Sequence, residues 1–280
     1  AEGTMEAIAQ IRKIAGQQCF VSGLSAVVTD TKQLVEDQEA IYVAIAVALC
    51  CVVLMLTMDS ILLPFIFLLC IGVSILWNMG TNYFLGEISY ITKAVAAVLQ
   101  LGVTLDYSIF LWHSYKEEKE KHPGDNKEAM AVAIGKTITS VVSSSIPTVA
   151  GFLALCFMSY ELGMDMGIVM AKGVVIGVIC CITVLPSMIL VFDKALEKTM
   201  HKDLVPSLEK PSKFIIKHHA AFIVLFIVVL IPAVYGQINT NVYYNLTDTL
   251  PKDLNSVIAN TKLDEEYNMA TTHMLLVDAD

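Results

Sequence analysis

The chain has 280 residues, of which 56% are hydrophobic and 16% charged, with a formal net charge of −9. So little charge excludes an ordinary soluble domain. No basic patch offers itself to nucleic acid, because the lysines track the ends of apolar blocks. Those blocks are long enough to cross a bilayer, so the composition predicts an α-helical polytopic membrane protein.

In chain order, Gly3 to Ala15 places Met5, Ile8, Ile11 and Ile14 at helical spacing. Cys19-Phe20-Val21-Ser22-Gly23 reads as a short strand and turn. Asp30 to Gln38 is polar and helical, and runs straight into the first span. Six spans follow, at 40–58, 61–80, 94–115, 138–158, 171–192 and 220–236, each near the ~20 residues that a bilayer core requires. Asp59-Ser60 is the whole link between the first two, which predicts a tight helical hairpin. Met274 to Asp278 reads as a strand. The strand and helix signals at both ends predict that the chain starts and stops inside larger α+β extracytoplasmic domains. The expected order is therefore a domain piece at 1–38, five spans within 39–192, a cytoplasmic linker at 193–219, a sixth span at 220–236 and a second domain piece at 237–280.

The lysines set the orientation. Lys116, Lys119, Lys121, Lys127 and Lys136 lie in the loop 113–137, and Lys194, Lys198, Lys202, Lys210, Lys213 and Lys217 in the loop 193–219. These eleven, out of 18 basic residues, place both loops in the cytoplasm and both chain ends outside. Lys93 and Lys172 fall at the outer edges of their spans, where snorkelling accounts for both. Cys50, Cys51, Cys70, Cys156, Cys180 and Cys181 lie inside spans, so they make neither a disulfide framework nor a metal-ligand spacing. No cofactor motif and no set of nucleophile, base and orienting group appears, so the reading is not that of an enzyme.

Asp106 stands out. It lies in the middle of the third span, where a charged carboxylate costs about 2.5–3.5 kcal/mol or more and is kept for proton movement, ion binding or pairing. Gly102 lies one turn earlier on the same face and allows close approach of a neighbouring helix, and Tyr107 follows with a hydroxyl. In the fourth span Ser140, Ser144, Thr148 and Gly151 recur at helical spacing beside Ser143 and Ser145, with Pro147 as a kink. That small, polar face either packs closely or lines a hydrated path to Asp106. The side chain of Asp106 is expected to face this stripe and the helix bundle. Gly173-Val-Val-Ile-Gly177 in the fifth span is a close-packing pattern.

Gly102-Val-Thr-Leu-Asp106-Tyr107 with its continuation to Lys116-Glu117-Glu118 resembles the fourth helix of the resistance-nodulation-division superfamily, in its MMPL-type branch. Gly135 to Phe152 resembles the fifth helix, Leu185-Pro186 the end of the sixth, and Gln237 to Asp280 the start of the second porter domain. The resemblance implies that the six spans are helices two to seven of a bundle of about twelve, flanked by partial porter domains. It implies a bacterial inner-membrane exporter, driven by protons, that moves a hydrophobic or amphiphilic molecule such as a lipid or drug-like compound. Asp106 and Tyr107 would couple the proton, with Gly102, Ser140, Ser144 and Thr148 lining the relay or packing helices. Partners would be the substrate, protons, membrane lipids and further copies in a homo-oligomer. A SecDF-like protein-export factor and a non-transporting sterol-sensing lipid receptor or scaffold are the alternatives.

Overall fold

The computed structural model describes residues 2–16, 20–201, 209–240 and 250–269. Its helices are α1 (Glu2–Ala15), α2 (Leu24–Thr57), α3 (Leu63–Gly80), α4 (Tyr90–Lys121), α5 (Asn126–Ala154), α6 (Glu161–Lys198), α7 (Glu209–Lys217), α8 (His219–Asn239) and α9 (Asn255–Tyr267). Short 3-10 turns, Thr81–Leu85 and Leu155–Phe157, extend α3 and α5. Among the described residues α2, α3 with its extension, α4, α5, α6 and α8 are long and apolar enough to cross a membrane. They coincide in number and order with the six expected spans. Most run well past the apolar blocks, because hydropathy marks the bilayer core while the backbone stays helical into the polar flanks.

No strand forms among the described residues beyond an isolated bridge between Ser60 and Met200. Phe20 to Ser22 is irregular, because an extended stretch without a neighbouring edge has no ladder to join. Cys19 and Met274 to Asp278 lie outside the described residues.

The chain divides into two compact units. The first, Gln38–Pro206, is built on α3, α4, α5 and α6. Its core is apolar and includes Leu63, Phe67, Leu111, Tyr115, Leu185 and Ile189, each at most 1% exposed. The Gly173/Gly177 pair serves the close packing expected of it. A Cβ on Gly173 would lie 2.7 Å from Nδ2 of Asn78, and one on Gly177 would lie 2.5 Å from Oγ1 of Thr104. The two glycines thus seat a buried polar ladder of α3 and α4. In it Asn78 donates to Oε1 of Gln100 at 2.9 Å, and Gln100 donates to Oγ of Ser74 at 2.7 Å.

Two expectations are corrected here. The link Met58–Leu62 is short, but α2 does not pack along α3, and only its end enters the core through Leu54 and Met58. A short link fixes helix ends, whereas the flanks of two apolar helices gain little from each other when lipid is equally apolar. Lys172 does not snorkel outward. Its Nζ turns in to donate to the backbone oxygen of Asn78 at 3.0 Å and to Oδ1 of Asn82. A cation at the C-terminal end of α3 meets the helix's unpaired carbonyls and the negative end of its dipole. Lys93 pairs with Glu39 at 3.3 Å.

The second unit comprises 1–37 and 207–280. In it α1, the first turns of α2 and the start of α9 meet through polar contacts. Arg12 clasps Asp30 with two bonds of 2.6 and 3.0 Å, and the same carboxylate accepts from the backbone N–H of Ser256 at 3.1 Å. Leu254 at the N-cap of α9 supplies no side-chain cap, so Asp30 performs that office from a distant part of the chain. Ser22 donates to Oδ1 of Asn260, and Lys262 lies 4.6 Å above the ring of Phe20.

Candidate functional site

α4 carries the site, and its start is fixed first. Ser89 caps it by accepting from the N–H of Ile91, and Asp165 of α6 accepts from the N–H of Ser89 at 2.8 Å and from Oγ1 of Thr92 at 2.6 Å. From there the helix runs unbroken for 32 residues, with Asp106 near its middle. One face is buried and includes Gln100, Thr104, Tyr107, Ser108, Leu111 and Tyr115. The exposed residues between Ala94 and Glu118 are Val95, Val98, Gly102, Asp106, Phe110, His113 and Glu117, three or four apart, so they form one stripe along the helix.

Asp106 therefore does not face the helix bundle. It lies on the outer stripe with Gly102, while Tyr107, 5% exposed, turns into the core. The reason is the helical turn of about 100° per residue, which sends adjacent side chains to different faces. Tyr107 lies near Ser144 of α5, so it is the tyrosine of the motif, not the aspartate, that comes to the serine stripe. Around Gly102 a Cβ would meet nothing within 4 Å, so no described helix uses the close approach it permits.

The serine stripe is spent largely on its own backbone. Ser144 donates to the carbonyl of Val141 at 3.0 Å, and Thr148 donates to that of Ser144 at 3.3 Å. Ser140, Ser143 and Ser144 are exposed, Ser145 is buried and Thr148 is half-buried.

A second polar cluster sits at the lysine-rich end, and the lysine pattern alone did not reveal it. Asp59, in the α2–α3 link, accepts from the indole N–H of Trp112 at 3.0 Å and pairs with Lys116 at 2.6 Å. Burial on its own would raise the Asp59 carboxyl, but the bonds from Lys116 and Trp112 outweigh it and hold the group below its usual 3.8. Asp193 of α6 accepts from the hydroxyl of Tyr115 at 2.9 Å, from Lys119 at 2.6 Å and from Asn126 at 2.6 Å. Glu118, 3% exposed, pairs with Lys121 at 2.9 Å and Lys136 at 2.6 Å. The lysines that signal topology thus also neutralise three buried carboxylates. The available signal was an acid within each polar flank, in or near the lysine-rich segments.

The sequence profile of the MMPL family matches residues 1–209. ActII-3 of Streptomyces coelicolor, named as a membrane protein, is 26% identical over 68% of this chain and 27% of its own length. MmpL12 of Mycobacterium tuberculosis, which bears the name of a transport protein, is 26% identical over 94% of this chain and 24% of its own length. The siderophore exporter MmpL5 of the same organism is 27% identical over 65% of this chain and 20% of its own length. The chain thus spans about a quarter of the length of the relatives it matches. With a family match over some three quarters of its residues, the chain belongs to the MMPL family.

Proposed function

We propose that this chain is part of the membrane core of a proton-driven exporter, with Asp106 as the coupling carboxylate. The single observation that carries the reading is the stripe on α4. A carboxylate halfway along an apolar helix lies on a face that the described helices leave open, and exposure of its charged form to lipid is costly. Such a face is suited to contact with a further helical bundle or with water. We place the six spans as helices two to seven of a larger bundle, with 1–38 and 237–280 as pieces of two porter domains and 193–219 as a cytoplasmic linker. The second helical half would cover the stripe, and both chain ends would lie outside the bacterial inner membrane.

In this mechanism Asp106 takes up a proton from the outer side, becomes neutral, and releases it towards the lysine-rich side. Its neutral and charged forms favour different packing of the stripe, and each cycle moves a hydrophobic or amphiphilic molecule in the porter domains. The name of MmpL5 as a siderophore exporter supports an export role.

The test is Asp106→Asn in the whole protein. Asn keeps the shape and most hydrogen bonding but has no titratable proton. Membrane insertion and thermal stability should match the wild type, while efflux from vesicles under an imposed pH gradient is lost. Efflux at the wild-type rate would overturn the coupling role and return Asp106 to a structural one.

A further inference from the structure

Three of the seven exposed residues of α4 between Ala94 and Glu118 are titratable: Asp106, His113 and Glu117. The other four are Val95, Val98, Gly102 and Phe110. The titratable groups are not spread evenly. The half of the stripe that leads away from the lysine-rich end, Val95 to Gly102, holds none. The half that leads towards it holds His113 two turns beyond Asp106 and Glu117 one turn further.

The opposite face of α4 does not offer the same route. There the polar groups are tied down. Tyr107 is buried, Ser108 donates to the carbonyl of Thr104 at 3.0 Å, and Tyr115 donates to Asp193. Trp112, next to His113, donates to Asp59. The charged groups of the neighbouring elements near this end are likewise engaged on the buried side: Asp59 with Lys116, Asp193 with Lys119, and Lys136 with Glu118. His113 itself enters no hydrogen bond or ion pair among the described residues, and nor does Asp106. An imidazole left on the same stripe as the coupling carboxylate is not needed to hold the helix.

We propose that His113 is a proton relay residue, the station through which the proton of Asp106 leaves on the lysine-rich side. This rests on the reading of Asp106 as the coupling group. Seven residues of helix separate the two by about 10 Å, too far for a direct bond, so intervening water on the stripe carries the proton between them. The Asp106 carboxyl gives up its proton and becomes a carboxylate. One ring nitrogen of neutral His113 receives a proton from the water chain. The other ring nitrogen then releases one to water at the helix end, and His113 is neutral again. No electron moves and the charge balances at each stage. Imidazole suits the task because it binds and releases protons near neutral pH through two distinct nitrogens.

The experiment follows the Asp106 carboxyl in the whole protein in lipid nanodiscs, by time-resolved infrared spectroscopy after an alkaline pH jump. The probe is the proton itself, so no cargo is required. The protonated-carboxyl band of Asp106 is the one that Asp106→Asn removes. In His113→Ala and in the more conservative His113→Gln the decay of that band is expected to slow by roughly a hundredfold. Added imidazole should restore it in His113→Ala, which a merely structural defect would not allow. His113 is exposed, so both variants are expected to fold. An unchanged decay in both variants, with the Asp106 band present, overturns the role of His113 and leaves that of Asp106 standing. If Asp106→Asn removes no band, the coupling reading beneath it fails instead. Slowing that imidazole does not relieve overturns the relay in favour of a packing role.

Discussion

Thr104 is fitted to Gly177. The hydroxyl of Thr104 occupies the place where a Cβ on Gly177 would stand, 2.5 Å from it, and Thr104 is fully buried. The contact joins the middle of α4 to the middle of α6, within the helix pair that holds Asp106 in place. Gly177→Ala should therefore destabilise the bundle by about 1–3 kcal/mol, the usual cost of one surplus methyl in a packed interior. Thr104→Ala in the same chain should recover most of the loss, since it removes the atoms that collide. Thermal unfolding in detergent decides it. A Gly177→Ala protein as stable as the wild type would mean that α4 and α6 do not approach this closely.

The Asp59 clamp gives a pH dependence with a definite sign. Its carboxyl lies below 3.8 in the folded chain, because the bonds from Lys116 and Trp112 outweigh the effect of burial. A carboxyl lowered by folding adds stability above its unfolded value, and that stability is lost as the pH falls through the folded value. The clamp should thus hold through neutral pH and loosen only below about pH 4. Trp112 reports it directly. In a Trp77→Phe background its fluorescence should be constant from neutrality to mild acid and shift below. Asp59→Ala should show the shifted spectrum at neutral pH. A transition centred near neutrality would contradict the assignment.

Asp30 should control the order of α9. The carboxylate that Arg12 holds also accepts from the N–H of Ser256, so Asp30→Ala removes a cap and leaves Arg12 without its partner. Loss of a buried pair member costs up to about 3 kcal/mol where the other charge is stranded. Amide exchange should rise across Asn255–Tyr267 and remain unchanged in α4 and α6. Equal exchange in the variant and the wild type would show that α9 is held by other contacts.

The orientation can be read by labelling. Cys introduced at Glu120 and at Glu161, both exposed, should react with impermeant reagents from opposite sides of the membrane, with Glu120 cytoplasmic. Reaction of both from one side would refute the six-span arrangement.

The spans, their order and the Gly173/Gly177 packing were legible from the residues because bilayer length and small-residue spacing leave strong signals. The face presented by Asp106 was not. In a helix whose lipid-facing and protein-facing residues are both apolar, periodicity fades, so the direction of one carboxylate cannot be inferred from its neighbours. Asp106 was expected to face the serine stripe together with Tyr107, although adjacent residues of a helix differ in direction by a quarter turn or more. The buried acids Asp59, Asp193 and Glu118 were hidden for another reason. Each sits in a polar flank that reads as solvated, and only the fold shows that the flank is closed over it.

The closure at that end also sets a schedule. Ser60 bonds Thr199, which lies 139 residues further along, and the N–H of His201 bonds the carbonyl of Asp59 at 2.8 Å. At roughly 5–20 residues per second, a ribosome needs of order ten seconds to supply that partner. Through that interval the link between α2 and α3 must wait unfastened, while the four spans α3 to α6 are threaded and inserted. A nascent chain halted before Thr199 should expose this link to protease, and one released beyond His201 should protect it.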